Sequence, residues 1–128
     1  MKYLDLDIVI ELHNMQIKKY GGTLGVLDKG LLEHLCVAPR QTFSSVDLYK
    51  TIFDKAAKYF VGFSTSQVFE DGNKRTATAC LTVFLDLNGY KLNCTEAQLT
   101  DLCLKVSTNQ KSQKDVVSFL KSHTQVIK

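Results

Sequence analysis

Between Ala77 and Leu87 only Thr78, Thr82 and Asp86 are polar, and they recur at every fourth position. That spacing puts all three on one narrow stripe of a helix whose remaining surface is apolar. Such a segment is stable only if the rest of the chain covers it. The chain has 128 residues, which suits one domain burying roughly two-thirds of its unfolded surface around that helix. The expectation is an all-α fold: a compact single-domain bundle over 1–128, with about six helices around a central buried helix at 73–88 that Gly89 ends.

The covering helices announce themselves by their ends. Asp5 or Asp7 can cap a first helix reaching about Tyr20, with Leu6, Val9, Ile10, His13 and Ile17 on one face and Gly21-Gly22 as its stop. Asp28 can cap a second, through about Cys36, with Leu31, Leu32 and Leu35 inward. Pro39, the only proline, stops it and opens a connecting loop. A third helix is expected over 47–63, its apolar face carrying Leu48, Ile52, Ala56, Tyr59, Phe60 and Phe63. The loop 64–72 leads into the central helix, and 90–94 is a short extended link after it. Thr95-x-x-Gln98 is a capping box for a fifth helix to about Val106, and Ser112-x-x-Asp115 opens the last. No repeat, low-complexity tract or sustained strand alternation is present.

Composition removes several function classes. Sixteen cations against 13 anions give a net charge of +3, too mild for an electrostatic nucleic-acid binder, so no direct DNA binding is expected. Lys111, Lys114, Lys121 and Lys128 read as a solvated face. Cys36, Cys80, Cys94 and Cys103 form no C-x-x-C pair and have no histidine at finger spacing, which argues against structural zinc. Cys80 and Cys103 lie in apolar helical stretches and read as core thiols. No uncharged stretch approaches ~20 residues, so no membrane span is expected. With no signal peptide in view, the expected compartment is the cytoplasm.

Chemistry concentrates in residues 69–77, F-E-D-G-N-K-R-T-A. A carboxylate (Asp71), a glycine turn (Gly72), a capping amide (Asn73) and two cations (Lys74, Arg75) run straight into the central helix. Helix N-termini present unpaired N–H groups and positive potential, so anions bind there. Gly72 gives room for close backbone approach. Arg75 can grip phosphate oxygens with two parallel hydrogen bonds, and Lys74 adds charge. Asp71 is the natural magnesium ligand, since Mg²⁺ favours a carboxylate plus phosphate oxygens. The segment reads as a site for a nucleoside triphosphate and its metal. The plain alternative is a capped helix with two solvated cations. Against it, cations in a first helical turn oppose the dipole unless an anion is present.

This run resembles the motif of the Fic/Doc family, H-x-F-x-(D/E)-x-N-(G/K)-R, and Phe69, Asp71, Gly72, Asn73 and Arg75 match it. Lys74 stands where AMP-transferring Fic enzymes have glycine and Doc toxins have lysine. Thr78 stands where those Fic enzymes have a second arginine, and Val68 replaces their proline. All three departures point to the Doc, death-on-curing, branch. Leu12-His13, Tyr20-Gly21-Gly22, then Gly25, Asp28, Gly30, Leu32 and Glu33 resemble the Doc N-terminal signature, and Asn88-Gly89-Tyr90 resembles the end of its central helix. The resemblance covers roughly residues 5–95.

The resemblance implies a small all-α toxin of a toxin–antitoxin pair. It implies ATP and Mg²⁺ as cofactors, with Phe69, Gly72, Asn73, Lys74 and Arg75 around the nucleotide and Asp71 on the metal. It implies phosphate transfer to a threonine hydroxyl of translation elongation factor Tu, arresting translation. Gln67 occupies the position of the family's catalytic histidine, beside Asp71, Lys74 and Arg75 in the catalytic set. A carboxamide is no general base near neutral pH, so turnover should be lost or weakened. A deliberate replacement and a natural variant both fit this residue. Two other readings stay open: a Fic-like AMP transfer, and a catalytically degenerate module that keeps only an antitoxin contact. No internal inhibitory S/T-x-x-x-E-G/N motif is present, so the implied inhibitor is a cognate antitoxin, a short helix in a surface groove near the early helices and the 40–47 loop. His13 reads as a hydrogen-bonded core histidine; His34 and His123 carry no assigned role.

Overall fold

The computed structural model describes residues 1–127, so Lys128 of the expected lysine face lies outside the described residues. Helix α1 spans Leu6–Tyr20 and starts where the Asp5 carboxylate accepts the Ile8 N–H. Gly21 ends it at φ 88, donating its N–H to the Ile17 carbonyl at 2.7 Å. Helix α2, Lys29–Val37, starts with the Asp28 carboxylate accepting the Leu31 N–H. Pro39 sits in a short 3-10 turn, Ala38–Arg40, rather than in an open loop.

The expected loop after Pro39 and the expected start of the third helix are both corrected. A small hairpin forms instead, β1 (Thr42–Phe43) against β2 (Val46–Asp47), turning through Ser44 and Ser45 at φ 51 and 66. Helix α3 then spans Ile52–Thr65, not 47–63. Thr51 and Asp54 close a full capping box, a stronger start than Asp47 offers. Asp47 stays on β2, where its carboxylate meets Lys55 Nζ at 3.1 Å. Leu48, lying before the helix, is exposed rather than part of its apolar face.

Helix α4, Asn73–Leu87, is followed by β3, Tyr90–Leu92. Helices α5, Glu96–Ser107, and α6, Gln113–His123, complete the bundle. The extended link proves to be a paired strand: β3 lies antiparallel to β4, Thr124–Val126, which follows α6. The six α-helices among the described residues bear out the all-α expectation.

Helices α3 and α4 form the central pair. Ala56, Tyr59, Phe60 and Phe63 of α3 and Ala77, Cys80, Leu81, Phe84 and Leu85 of α4 are wholly buried in one continuous core. Val9 of α1, Leu32 of α2, Leu102 of α5 and Val116 and Leu120 of α6 close it. Each large side chain of this kind contributes about 1.5–3 kcal/mol by burial. The polar stripe falls on the open side of α4, with Thr82 and Asp86 exposed and Thr78 half-buried.

Several polar groups in and around the core are tied down, whereas the wholly buried Thr76 hydroxyl has no hydrogen-bond partner among the described residues. Lys55 is only 2% exposed, and its ammonium meets Asp47 and the Tyr49 carbonyl, pinning the hairpin to α3. Tyr59 Oη accepts the Leu4 N–H at 3.0 Å, and burial pushes its pKa up to about 12. Asn88 exchanges two hydrogen bonds with Lys2, each 2.8 Å, while the Ile127 N–H reaches the Gly89 carbonyl at 2.7 Å. All four cysteines are free, and Cys80 and Cys103 are buried as expected. Among the described residues, no helix is long and apolar enough to cross a membrane.

Candidate active site

A cleft of about 660 Å³ opens at the N-terminus of α4. Its walls are the end of α3 (Ser64, Thr65, Ser66), the loop residues Gln67, Glu70, Asp71 and Gly72, the first turn of α4 (Asn73, Lys74, Arg75) and the end of α5 (Leu104, Ser107, Thr108). The chemistry-bearing run therefore lines a concavity. Ser107 and Thr108 carry no sequence signal for this place. The capping box at Thr95 fixes where α5 begins, but only tertiary packing decides where its other end lies.

The loop is held from inside. Val68 and Phe69 are wholly buried. The Phe69 ring stacks on His13, centroids 3.7 Å apart and nearly parallel, with Phe63 beyond it at 6.4 Å. Phe69 is thus an anchor for the loop and is absent from the cleft wall. His13 is buried as expected, and its Nε2–H donates to the Asp71 carbonyl at 2.8 Å. From the other side, the Leu27 N–H reaches the Val68 carbonyl at 2.8 Å and the Glu70 N–H reaches the Gly25 carbonyl at 3.0 Å.

Asn73 does not cap the helix. It is the first residue of α4, and its side chain turns back to fold the loop. Its Oδ1 accepts the N–H groups of Val68 (3.1 Å) and Phe69 (2.9 Å), and its Nδ2 donates to the Phe69 carbonyl at 2.9 Å. The N-cap position belongs to Gly72, in the left-handed region at φ 80, ψ 19, and no side chain caps α4. The amides of its first turn have no intrahelical acceptor. The glycine is required here by its positive φ and by α1. A Cβ on Gly72 would stand 3.0 Å from Ile17 Cδ1.

Asp71 is exposed at the cleft, with Oδ2 accepting the Thr23 N–H at 2.7 Å. That contact needs Gly22, where an added Cβ would lie 3.1 Å from Asp71 Cβ. The glycine pair after α1 thus serves the loop as well as the helix end. Among the described residues no three metal-ligating groups converge, so an ion at Asp71 would draw its other ligands from phosphate and water. Lys74 and Arg75 are exposed and make no ion pair among the described residues, where the ion pairs join Lys55 to Asp47 and Lys105 to Asp101. The Arg75 guanidinium lies 3.7 Å over the Tyr20 ring. Gln67 is exposed, and its Nε2–H reaches the Phe69 carbonyl only loosely, at 3.4 Å.

Below the cleft, Ser64 Oγ lies 3.2 Å from Cys103 Sγ. Burial pushes the Cys103 thiol up, so it stays protonated at neutral pH and supports the Lys74 backbone rather than acting as a nucleophile.

A sequence model of the Fic/DOC family matches residues 3–85. Toxin Doc of Mycolicibacterium smegmatis (strain ATCC 700084 / mc(2)155) is 37% identical over 91 residues, 71% of this chain and 68% of the relative. Protein kinase doc of Escherichia phage P1 is 29% identical over 121 residues, 94% of each chain.

Proposed function

Because this chain belongs to the Fic/Doc family, in its Doc branch, we propose that it is the toxin of a toxin–antitoxin pair and a protein phosphotransferase. The names of the two relatives, a Doc toxin and a Doc protein kinase, support that class. The observation that carries it to this chain is the start of α4: no side chain caps it, and two exposed cations without carboxylate partners stand in its first turn, at the wall of a cleft.

The finer reading is that ATP with Mg²⁺ supplies a phosphate to a threonine hydroxyl of elongation factor Tu. The donor set fits. The first-turn amides, Lys74 and Arg75 face an anion, and Asp71 keeps one carboxylate oxygen beyond that bonded to Thr23 for a metal. Bound magnesium would neutralise phosphate charge. The protein's own groups hold the phosphates through Lys74 and Arg75 and keep the loop rigid through Asn73 and Phe69. In the transfer the hydroxyl oxygen bonds the γ-phosphorus, the β–γ bridging bond breaks, ADP leaves and the hydroxyl proton must be removed. Gln67 can orient that hydroxyl but cannot take its proton, so this chain binds nucleotide and turns it over slowly.

Thr78 weakens the AMP-transfer alternative. It offers no second cation, and its hydroxyl donates to the Lys74 carbonyl at 3.2 Å. The cognate antitoxin is the proposed partner. The hairpin and its flank, with Phe43 75% exposed beside exposed Val46 and Leu48, offer apolar anchors for its helix. Calorimetry of chain and antitoxin tests that contact, and no heat of binding would refute it. The function is tested by incubating the chain and Gln67→His with factor Tu and ATP labelled on the α- or the γ-phosphate. Transfer of γ-label, strong only in the histidine form, is expected. Transfer of α-label alone would support the AMP reading, and no transfer by the histidine form would reject both enzymes in favour of a binding module.

A further inference from the structure

Arg75 has its guanidinium face on the Tyr20 ring, at 3.7 Å, and no carboxylate partner among the described residues. Tyr20 is the last residue of α1, fixed by the Gly21 N–H to the Ile17 carbonyl, and its hydroxyl donates to Glu96 Oε1 at 3.3 Å. Three helix ends therefore meet around one cation: the C-terminus of α1, the N-terminus of α4 and the N-terminus of α5. The contact has a directional consequence. A guanidinium stacked by its face keeps its in-plane N–H donors free, whereas a carboxylate partner would consume two of them. Arg75 lines the main cleft as well as two neighbouring grooves, one of them shared with Tyr20 and Glu96.

We propose that Tyr20 is a positioning residue for phosphate binding: its ring, anchored by Glu96, holds Arg75 by the face so that the edge meets the phosphate. This rests on the reading of Arg75 as a phosphate ligand. It explains why Tyr20, 42% exposed at a helix end, is aromatic at a place where burial asks for nothing. Glu96 serves by holding the ring in place and leaves the guanidinium edges unpaired, so the cation's charge remains directed at the ligand.

The test is calorimetric binding of Mg·ATP to the chain and to Tyr20→Phe, Tyr20→Trp, Tyr20→Leu and Arg75→Gln, each checked for an unchanged melting temperature. Leucine fills similar space without a ring quadrupole. The expected order is Trp at least equal to Tyr, Phe close behind, and Leu weaker by roughly threefold to tenfold, the range of a partly exposed cation–π contact. Rescue by Phe but not by Leu is a pattern that general packing does not produce. If Leu binds as tightly as Tyr while Arg75→Gln weakens binding, the positioning role is wrong and the phosphate site stands. If Arg75→Gln binds as well as the parent chain, the phosphate-site reading itself falls and takes this role with it.

Discussion

The two central helices begin in opposite ways. At α3 the Asp54 N–H donates to Thr51 Oγ1 at 3.0 Å, and the Asp54 carboxylate accepts the Thr51 N–H at 3.0 Å, with an acid in the first turn to suit the dipole. At α4 the N-cap is a left-handed glycine, the neighbouring amide side chain is spent on the loop behind it, and the first turn carries two cations. One helix satisfies its own start; the other leaves it open and adds charge of the wrong sign for stability. A helix left open at one end, in a molecule whose other α-helices start on Asp, Thr or Ser, has room there for an anion. That is the physical argument for the proposed binding site.

The largest effect that would sharpen this contrast lies beside α4. Gln67→His should raise phosphate transfer by about 10²–10⁴-fold, the usual range for a general base, without changing Mg·ATP affinity by more than a small factor. Single-turnover transfer of γ-label measures the first and calorimetry the second. Equal rates for the two forms would break the separation between a binding turn and a missing base. Next, Asn73→Ala should remove three loop hydrogen bonds and lower stability by about 1–3 kcal/mol, with nucleotide binding lost together with the loop. Urea unfolding combined with amide exchange at Val68 and Phe69 reads both.

Thr51→Ala should lower stability by about 1 kcal/mol through loss of the cap, and leave Mg·ATP affinity untouched. A change in affinity there would mean that the two helix starts are coupled. The smallest effect runs the other way. Lys74→Glu should raise stability by about 0.3–1 kcal/mol, because an acid replaces a cation in the first turn, while nucleotide binding falls sharply. A variant that is both less stable and still able to bind would contradict the contrast at its root.

Much of this was legible in the chain. Asp5, Asp28, Thr95 and Ser112 mark four helix starts, because capping is local and its residues lie within three positions of what they cap. The failures came where the deciding partner was distant or the local code was unusual. The hairpin turns through Ser44-Ser45, both at positive φ, where glycine or asparagine would have announced it. Without that turn, Asp47 looks like a cap when it is the counter-ion of the buried Lys55. Strand β3 was visible only as an extended link, since its partner β4 lies beyond two helices. In the cleft, the motif brought Gln67, Asp71, Gly72, Asn73, Lys74 and Arg75 to notice but not which of them face the opening and which fold the loop. Whether Phe69 faces a ligand or the core, and whether Asn73 caps or folds, depends on His13 and on the loop 21–27, which no local spacing reveals.

The bonds at Asn88 and Gly89 have a practical reading. Lys2 is clamped by one of these residues and Ile127 by the next, so residues near both ends of the chain emerge together at the far end of α4. A fifteen-residue helix is ~22 Å long, and the cleft lies at its other end. A surface tether attached beside Lys2 or Ile127 would therefore point away from the cleft. Immobilised through that region, the molecule presents its cleft outward.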